Sequence, residues 1–114
     1  MKGTFMKELE VKDYLTECEE LMADLLQSGL NRVPEGYGKK LSGLAKEGEQ
    51  YGLLWFSGQM EAFARTLEEQ RHTFQEQEPR QLMKQYFKLC RYIRLGIEKA
   101  GYDAARENLS NNVN

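Results

Sequence analysis

The residues best equipped for chemistry in this chain sit near position 70. Glu69-Gln70-Arg71-His72 sets a carboxylate three residues before the only histidine, the spacing with which di-iron carboxylate bundles hold metal. Glu68, His72 and Glu76 would share one face of a helix. Such a centre needs a second Glu-x-x-His and two further inward carboxylates. One histidine cannot complete that set within a chain, although a symmetric dimer would bring two copies. The plainer reading is an exposed histidine among solvated charges near a helix end. A metal-dependent enzyme built on Glu69 and His72 is therefore the remote alternative, and no metal, cofactor or catalytic residue is assigned.

Nucleophilic chemistry has less to build on. Cys18 and Cys90 both fall on apolar helical stripes, where a buried thiol stays protonated and inert. Ser28 and Ser42 have no acid–base neighbour in sequence, and Ser57 lies among hydrophobic residues. No Cys-x-x-Cys and no Cys/His cluster with metal-ligand spacing exists. The expectation is a protein that is not an enzyme.

The clearest binding pattern lies near the C-terminus. Arg80, Lys84, Lys88 and Arg91 fall near one helical line, with Arg94 and Lys99 beside it. Phe87, Tyr92 and Leu95 stand on or next to the same face. Cations interleaved with aromatics meet phosphates and stack on bases, so Arg80, Lys84, Lys88, Arg91 and Arg94 are the nucleic-acid candidates. The acidic pI of about 5.5 and the lack of a known motif weigh against that partner. A solvated face, or one paired with an acidic helix, is the plainer account. A second group, Tyr51, Trp55, Phe56, Met60 and Phe63, supplies the candidate partner or oligomer interface. Aromatic and Met side chains mark interface centres, although at helical spacing they more often form a core.

The elements that must position these groups read as helices throughout. Val11, Leu15, Cys18, Met22 and Leu25 repeat at 4-3-4-3 and predict a helix over about residues 7–28, with Glu10, Asp13, Glu17, Glu20 and Asp24 on its other side. Gly29 follows, where a left-handed C′ residue is wanted. Pro34 suits a first helical position. Leu53, Phe56, Met60, Phe63, Leu67 and Phe74 form a 3-4 stripe, Gln70 filling the missing slot. A second stripe (Tyr37, Leu41, Leu44, Gly48, Tyr51, Trp55, Gly58, Ala62) overlaps it, so residues 51–63 look apolar on two faces. Six of the ten glycines lie between positions 36 and 58, and each costs helix stability. The spacing predicts helices over about 34–47 and 50–74, with a break near Gly48. After the polar Gln75-Glu76-Gln77-Glu78-Pro79, Leu82, Tyr86, Leu89, Ile93, Gly96 and Ala100 predict a long helix ended by Gly101. A short helix over 102–109 follows, then a frayed polar tail over 110–114. Nothing alternates as a strand does.

The 114 residues, 40% hydrophobic and 30% charged, suit one helical domain over 1–109. No run approaches the ~18 apolar residues of a membrane span, and the start lacks a secretory apolar region. Reduced thiols and these absences point to the cytoplasm. The net charge of −2 hides an asymmetry. Residues 1–30 hold three Lys against seven carboxylates, while residues 80–114 hold seven Lys or Arg against three carboxylates. Pairing of the acidic first helix with the basic last one is the simplest use of that split, within one subunit or between two.

Leu25-Leu26-Gln27-Ser28-Gly29-Leu30, Leu41-Ser42-Gly43-Leu44-Ala45 and Gly52-Leu53-Leu54, with the Phe56, Met60, Phe63, Leu67 spacing, resemble the helical region accompanying SWIM-type zinc fingers in some bacterial proteins. The similarity runs from about residue 21 to 95. The Cys-x-Cys…Cys-x-His motif of the finger itself is absent, so no metal or nucleic-acid role transfers from it. The resemblance implies an accessory helical module acting beside another protein. Taken together, the sequence predicts an all-α antiparallel bundle of about four main helices plus a short C-terminal one. Its expected role is protein interaction or oligomerisation, with another protein or a second copy (a homodimer) as partner. A nucleic-acid accessory role is the alternative.

Overall fold

The computed structural model describes the backbone of residues 2–30, 33–72 and 80–112, and side chains over 9–30, 33–69, 80–106 and Leu109. Four helices account for nearly all of it: α1 (Lys2–Ser28), α2 (Tyr37–Gln50), α3 (Leu54–His72) and α4 (Arg80–Asn112). No strand occurs among the described residues. The chain is an all-α helical bundle.

Side-chain pairs give the register. Gly96 abuts Leu15 and Gly101 abuts Lys12, Arg94 reaches Glu19, and the Tyr86 hydroxyl donates to the Met22 carbonyl at 2.8 Å. α1 and α4 are thus antiparallel. Gly48 against Ser57 and Gly38 against Glu68 do the same for α2 and α3. Phe56 on Tyr92 and Phe63 on Tyr86 do it for α3 and α4. The result is an up-down-up-down bundle drawn out to 63 × 20 × 20 Å. α4, with 33 residues, spans about 50 Å and sets the long dimension. Beyond the α2–α3 turn, α1 and α4 continue as a two-helix arm in which Ala100 and Ala104 are buried.

One apolar cluster forms the core. Leu15, Cys18, Met22 and Leu25 come from α1, Leu41 and Ala45 from α2, Phe56, Met60, Phe63 and Leu67 from α3, and Leu82, Tyr86, Leu89 and Ile93 from α4. Each large side chain so buried contributes roughly 1.5–3 kcal/mol. The 3-4 stripe of α3 is therefore the core face of that helix, as its spacing implies.

The breaks differ from the sequence expectation. Gly48 is helical, and α2 runs on to Gln50. The chain turns at Gly52, which takes φ +78°. Its N–H donates to the Glu49 carbonyl at 3.0 Å, and the Leu53 N–H to the Gly48 carbonyl at 3.1 Å, the bond pair of a Schellman stop. A side chain at position 52 would strain that left-handed backbone. Pro34 does not open α2. It begins a turn through Glu35 and Gly36 (φ +95°) in which the Tyr37 N–H meets the Pro34 carbonyl at 3.4 Å, and the helix starts at Tyr37. Gly29 has φ +85° after α1, as a C′ glycine should.

Gly101 does not end the last helix. It is helical and sits against Lys12 of α1, so the expected 102–109 helix is fused into α4, and 110–112 of the expected frayed tail are helical too. Residues 113 and 114 lie outside the described residues, as do Glu76 and the side chain of His72; Glu69 is exposed.

Candidate docking face

The Schellman turn resets the helical phase between Tyr51 and Trp55, and this sends the two rings to opposite sides of the bundle. Tyr51 leans on Tyr14 of α1, ring centroids 5.3 Å apart. Partial burial, then the nearby carboxylates Glu47, Glu10, Asp13 and Glu17, push its phenol pKa up. Trp55 instead lies on α4, 5.2 Å from the Tyr92 ring, with the Lys88 ammonium 5.5 Å from its centroid. Tyr92 in turn stacks on Phe56 at 5.0 Å and 12°, and Phe56 meets the Tyr14 ring edge-on at 6.3 Å. A chain of rings therefore runs from the surface through the core. It holds Trp55 in a fixed pose while leaving that residue 47% exposed.

Phe56, Met60 and Phe63 are completely buried. These three interface candidates are corrected to core residues, because α1, α4 and α3 itself close around them and leave nothing for a partner to touch. Tyr51 is half-buried on the α1 side. Of that group, Trp55 is the most exposed member.

The basic candidates are all exposed: Arg80, Lys84, Lys88, Arg91 and Arg94. Arg94 is turned along the bundle, 3.8 Å from Glu19 and 3.7 Å from Glu98. Both pairs are solvent-exposed and contribute little. Lys84, Lys88 and Arg91 project on the outer side of α4, opposite Leu82, Leu89 and Ile93 in the core. The expected neutralisation by α1 thus involves Arg94, whereas Glu10, Asp13, Glu17, Glu20 and Asp24 occupy a different side of the bundle. Beside the three outer cations on α4 stand Phe87 (58% exposed) and Leu95 (57%), while Leu54 (69%) is exposed at the start of α3. Helical spacing places Phe87, Arg91 and Leu95 in one row and Lys84, Lys88 and Tyr92 in the next.

Leu54 was not singled out from sequence. Its signal is the Leu53-Leu54 pair, of which only one member fits the core stripe. Tyr14 was missed as well, and Tyr86 was read as a core-stripe position without its hydroxyl's partner. Each stands four residues before a cysteine, and each donates its hydroxyl to a carbonyl on a neighbouring helix, Leu44 for Tyr14 and Met22 for Tyr86. Burial, then the adjacent thiol, pushes both phenols well above their ordinary range. Burial likewise raises Cys90 and pushes Cys18 up to about 12. Both cysteines are free, and a thiol held protonated is a poor nucleophile.

Two open grooves lie elsewhere on the described surface. One of about 790 Å³ lies between α2 and α3, where the Ser42 hydroxyl donates to Glu61 at 2.9 Å beside Lys39, Arg65 and Glu68. The other, about 410 Å³, lies between α1 and α2 and is lined by Glu17, Glu20, Asp24, Glu47 and Lys40. Among the described residues no group of three or more His, Cys, Asp or Glu side chains is placed to hold a metal ion. No described helix is long and apolar enough to cross a membrane.

The fold and this surface define a small four-helix bundle bearing a basic, aromatic face on its last helix. Residues 12–95 match the YehQ four-helical bundle domain, and the chain belongs to that family. The matched stretch is the four-helix body, without most of the two-helix arm. No curated protein and no solved structure matches the chain.

Proposed function

We propose that this protein is a non-catalytic interaction module that binds another protein on the α3–α4 face. The observation that carries the reading is Trp55, half-exposed yet held by Tyr92 and the core stack. Rigid aromatic anchors of this kind dominate binding energy at interfaces, and one that is already positioned loses little freedom on binding. The similarity to helical regions that accompany SWIM-type zinc fingers supports an accessory role beside a larger protein. Two free cysteines suit the cytoplasm as its compartment.

The test is a photo-crosslinking amino acid placed at Leu95 and, as control, at Lys46, an exposed α2 position remote from the face. Expressed in its own cell, the Leu95 variant should give a discrete protein adduct by mass spectrometry, and the Lys46 variant should not. Adducts at both sites or at neither would contradict the reading. An adduct with a second copy would make the module an oligomerisation device.

A second reading, nucleic-acid association, draws support from Lys84, Lys88 and Arg91 lined up beside Trp55, with Arg80 and Arg94 flanking. Fluorescence anisotropy with single- and double-stranded probes at low salt separates it from the first. Retention of binding after charge removal would reject that face.

A further inference from the structure

The face described above has a chemistry specific enough to name its occupant, and the step rests on the protein-docking reading just given. We infer that the partner is an acidic amphipathic helix: a segment with a short apolar stripe flanked by a row of carboxylates.

Three features of the face point there. The cations come in a row at positions 84, 88 and 91, so their spacing is that of a helix edge, and about 10 Å separates the ends. A second helix laid alongside repeats its own side chains at the same intervals, so carboxylates at i, i+4 and i+7 meet all three. Lys84 and Arg91 form no ion pair among the described residues, and Lys88 is engaged with the Trp55 ring. Lys84 and Arg91 are thus available without breaking an internal contact, and Lys88 is already held beside Trp55. The segment is also locally basic within an acidic chain, seven Lys or Arg against three carboxylates over residues 80–114 and −2 overall, so complementarity is with an acidic ligand.

Leu95 is an exposed aliphatic side chain, while Trp55 and Phe87 are exposed rings. The rings serve a stacked base as well as an apolar side chain. Leu95, however, suits the Leu or Phe side chains of a helix placed in a groove, and a chain of net charge −2 is repelled by a long polyanion. A second copy of the chain fits less well. Its α1 presents Glu10, Asp13, Glu17, Glu20 and Asp24, but of the apolar residues interleaved with them Tyr14, Cys18 and Met22 are buried in its own core, and Leu21 is only partly exposed. The exposed Leu26 of α1 projects from the far side of that helix. Such a face brings charge with only the partly exposed Leu21 and Leu44 to meet Trp55 and Leu95.

The experiment uses the whole chain, whose single tryptophan is Trp55, so intrinsic emission reports on this face alone. The probes are a labelled peptide of about 18 residues, long enough to turn helical on binding, with Leu and Phe in one stripe and Glu beside it; the same peptide with Gln for Glu; a scrambled peptide; and single- and double-stranded DNA of about 20 nucleotides. The acidic amphipathic peptide should shift Trp55 emission to the blue and bind at least roughly tenfold tighter than the Gln and scrambled versions, with affinity falling as salt rises from about 50 to 200 mM. Lys88→Glu with Arg91→Glu should weaken it by a further order of magnitude, and Lys84→Gln with Lys88→Gln by less, with helicity unchanged by circular dichroism. Equal binding of the Gln peptide, tighter binding of DNA, self-association that shifts Trp55, or no binding of the acidic peptide would each overturn the inference. Should the peptide fail while Leu95 still cross-links a partner in the cell, the partner chemistry is wrong and the docking reading stands. Should Leu95 capture nothing, both fall.

Discussion

Replacing glycine by alanine at three helical positions should give opposite signs, and the structure says why. Gly43 in α2 and Gly58 in α3 are exposed, and a Cβ built on either meets nothing within 4 Å. Alanine there gains helix propensity and restricts the unfolded chain, stabilising by about 0.5–1 kcal/mol. Gly48 is different. Its added Cβ would lie 2.6 Å from the Tyr14 hydroxyl, 3.2 Å from Tyr14 Cζ and 2.8 Å from the Ser57 hydroxyl. The Tyr14 ring cannot swing away, being 2% exposed and tied to the Leu44 carbonyl. Forcing a methyl into such packing costs about 1–3 kcal/mol, and displacing the phenol adds about 0.5–1.5 kcal/mol for the lost hydrogen bond. Against the gain of up to ~1 kcal/mol in propensity, Gly48→Ala should destabilise by about 1–3 kcal/mol. Urea unfolding followed by far-ultraviolet circular dichroism measures all three. Adding Tyr14→Phe, which removes the nearest atom, should recover part of the Gly48→Ala loss as a non-additive term. A Gly48→Ala protein as stable as Gly43→Ala would refute the close approach of α1 and α2 at this point.

Four further outcomes follow from the same packing. Phe56→Ala should cost about 3–5 kcal/mol, whereas Leu54→Ala two positions earlier should stay within about 0.5 kcal/mol of the parent, both read by urea unfolding. Cys18 should resist a thiol reagent in the native protein and react on unfolding, since burial pushes its pKa up to about 12. Because the folded thiol keeps its proton after the unfolded one has lost it, stability should be full below about pH 9 and decline towards pH 12, at about 1.4 kcal/mol per pH unit for each such group. Thermal melts across that range, with Cys18→Ala flattening the slope, check the sign. The peptide-free protein should sediment as a monomer of 13.3 kDa, because Phe56, Met60 and Phe63, three of the five groups that suggested an oligomer, are buried in the core.

The core face of α3 was readable because a single physical demand, burial along one stripe, acts on Phe56, Met60, Phe63 and Leu67 together. The basic row was readable for a similar reason, since helical spacing alone aligns Lys84, Lys88 and Arg91. The breaks were not. A glycine serves either a left-handed turn or a close approach, and composition does not distinguish Gly52, which has φ +78°, from Gly48, which is helical and crowded by Tyr14. That ambiguity merged Tyr51 with Trp55 on one imagined face, and only the true turn separates them. Gly101 misled in the same way, being kept in the helix where α1 packs against it. The tyrosine hydroxyls of Tyr14 and Tyr86 were invisible because their acceptors are backbone carbonyls 30 and 64 residues away.

A chain of 13.3 kDa suits residue-by-residue nuclear magnetic resonance, and one such titration tests the docking face most directly. On adding the acidic amphipathic peptide, amide shifts should move at Lys84, Lys88, Arg91 and Leu95 and at the indole N–H of Trp55, while Glu17, Glu20 and Asp24 on the opposite groove stay fixed. Shifts confined to the α1–α2 groove, or spread evenly over the bundle, would contradict it.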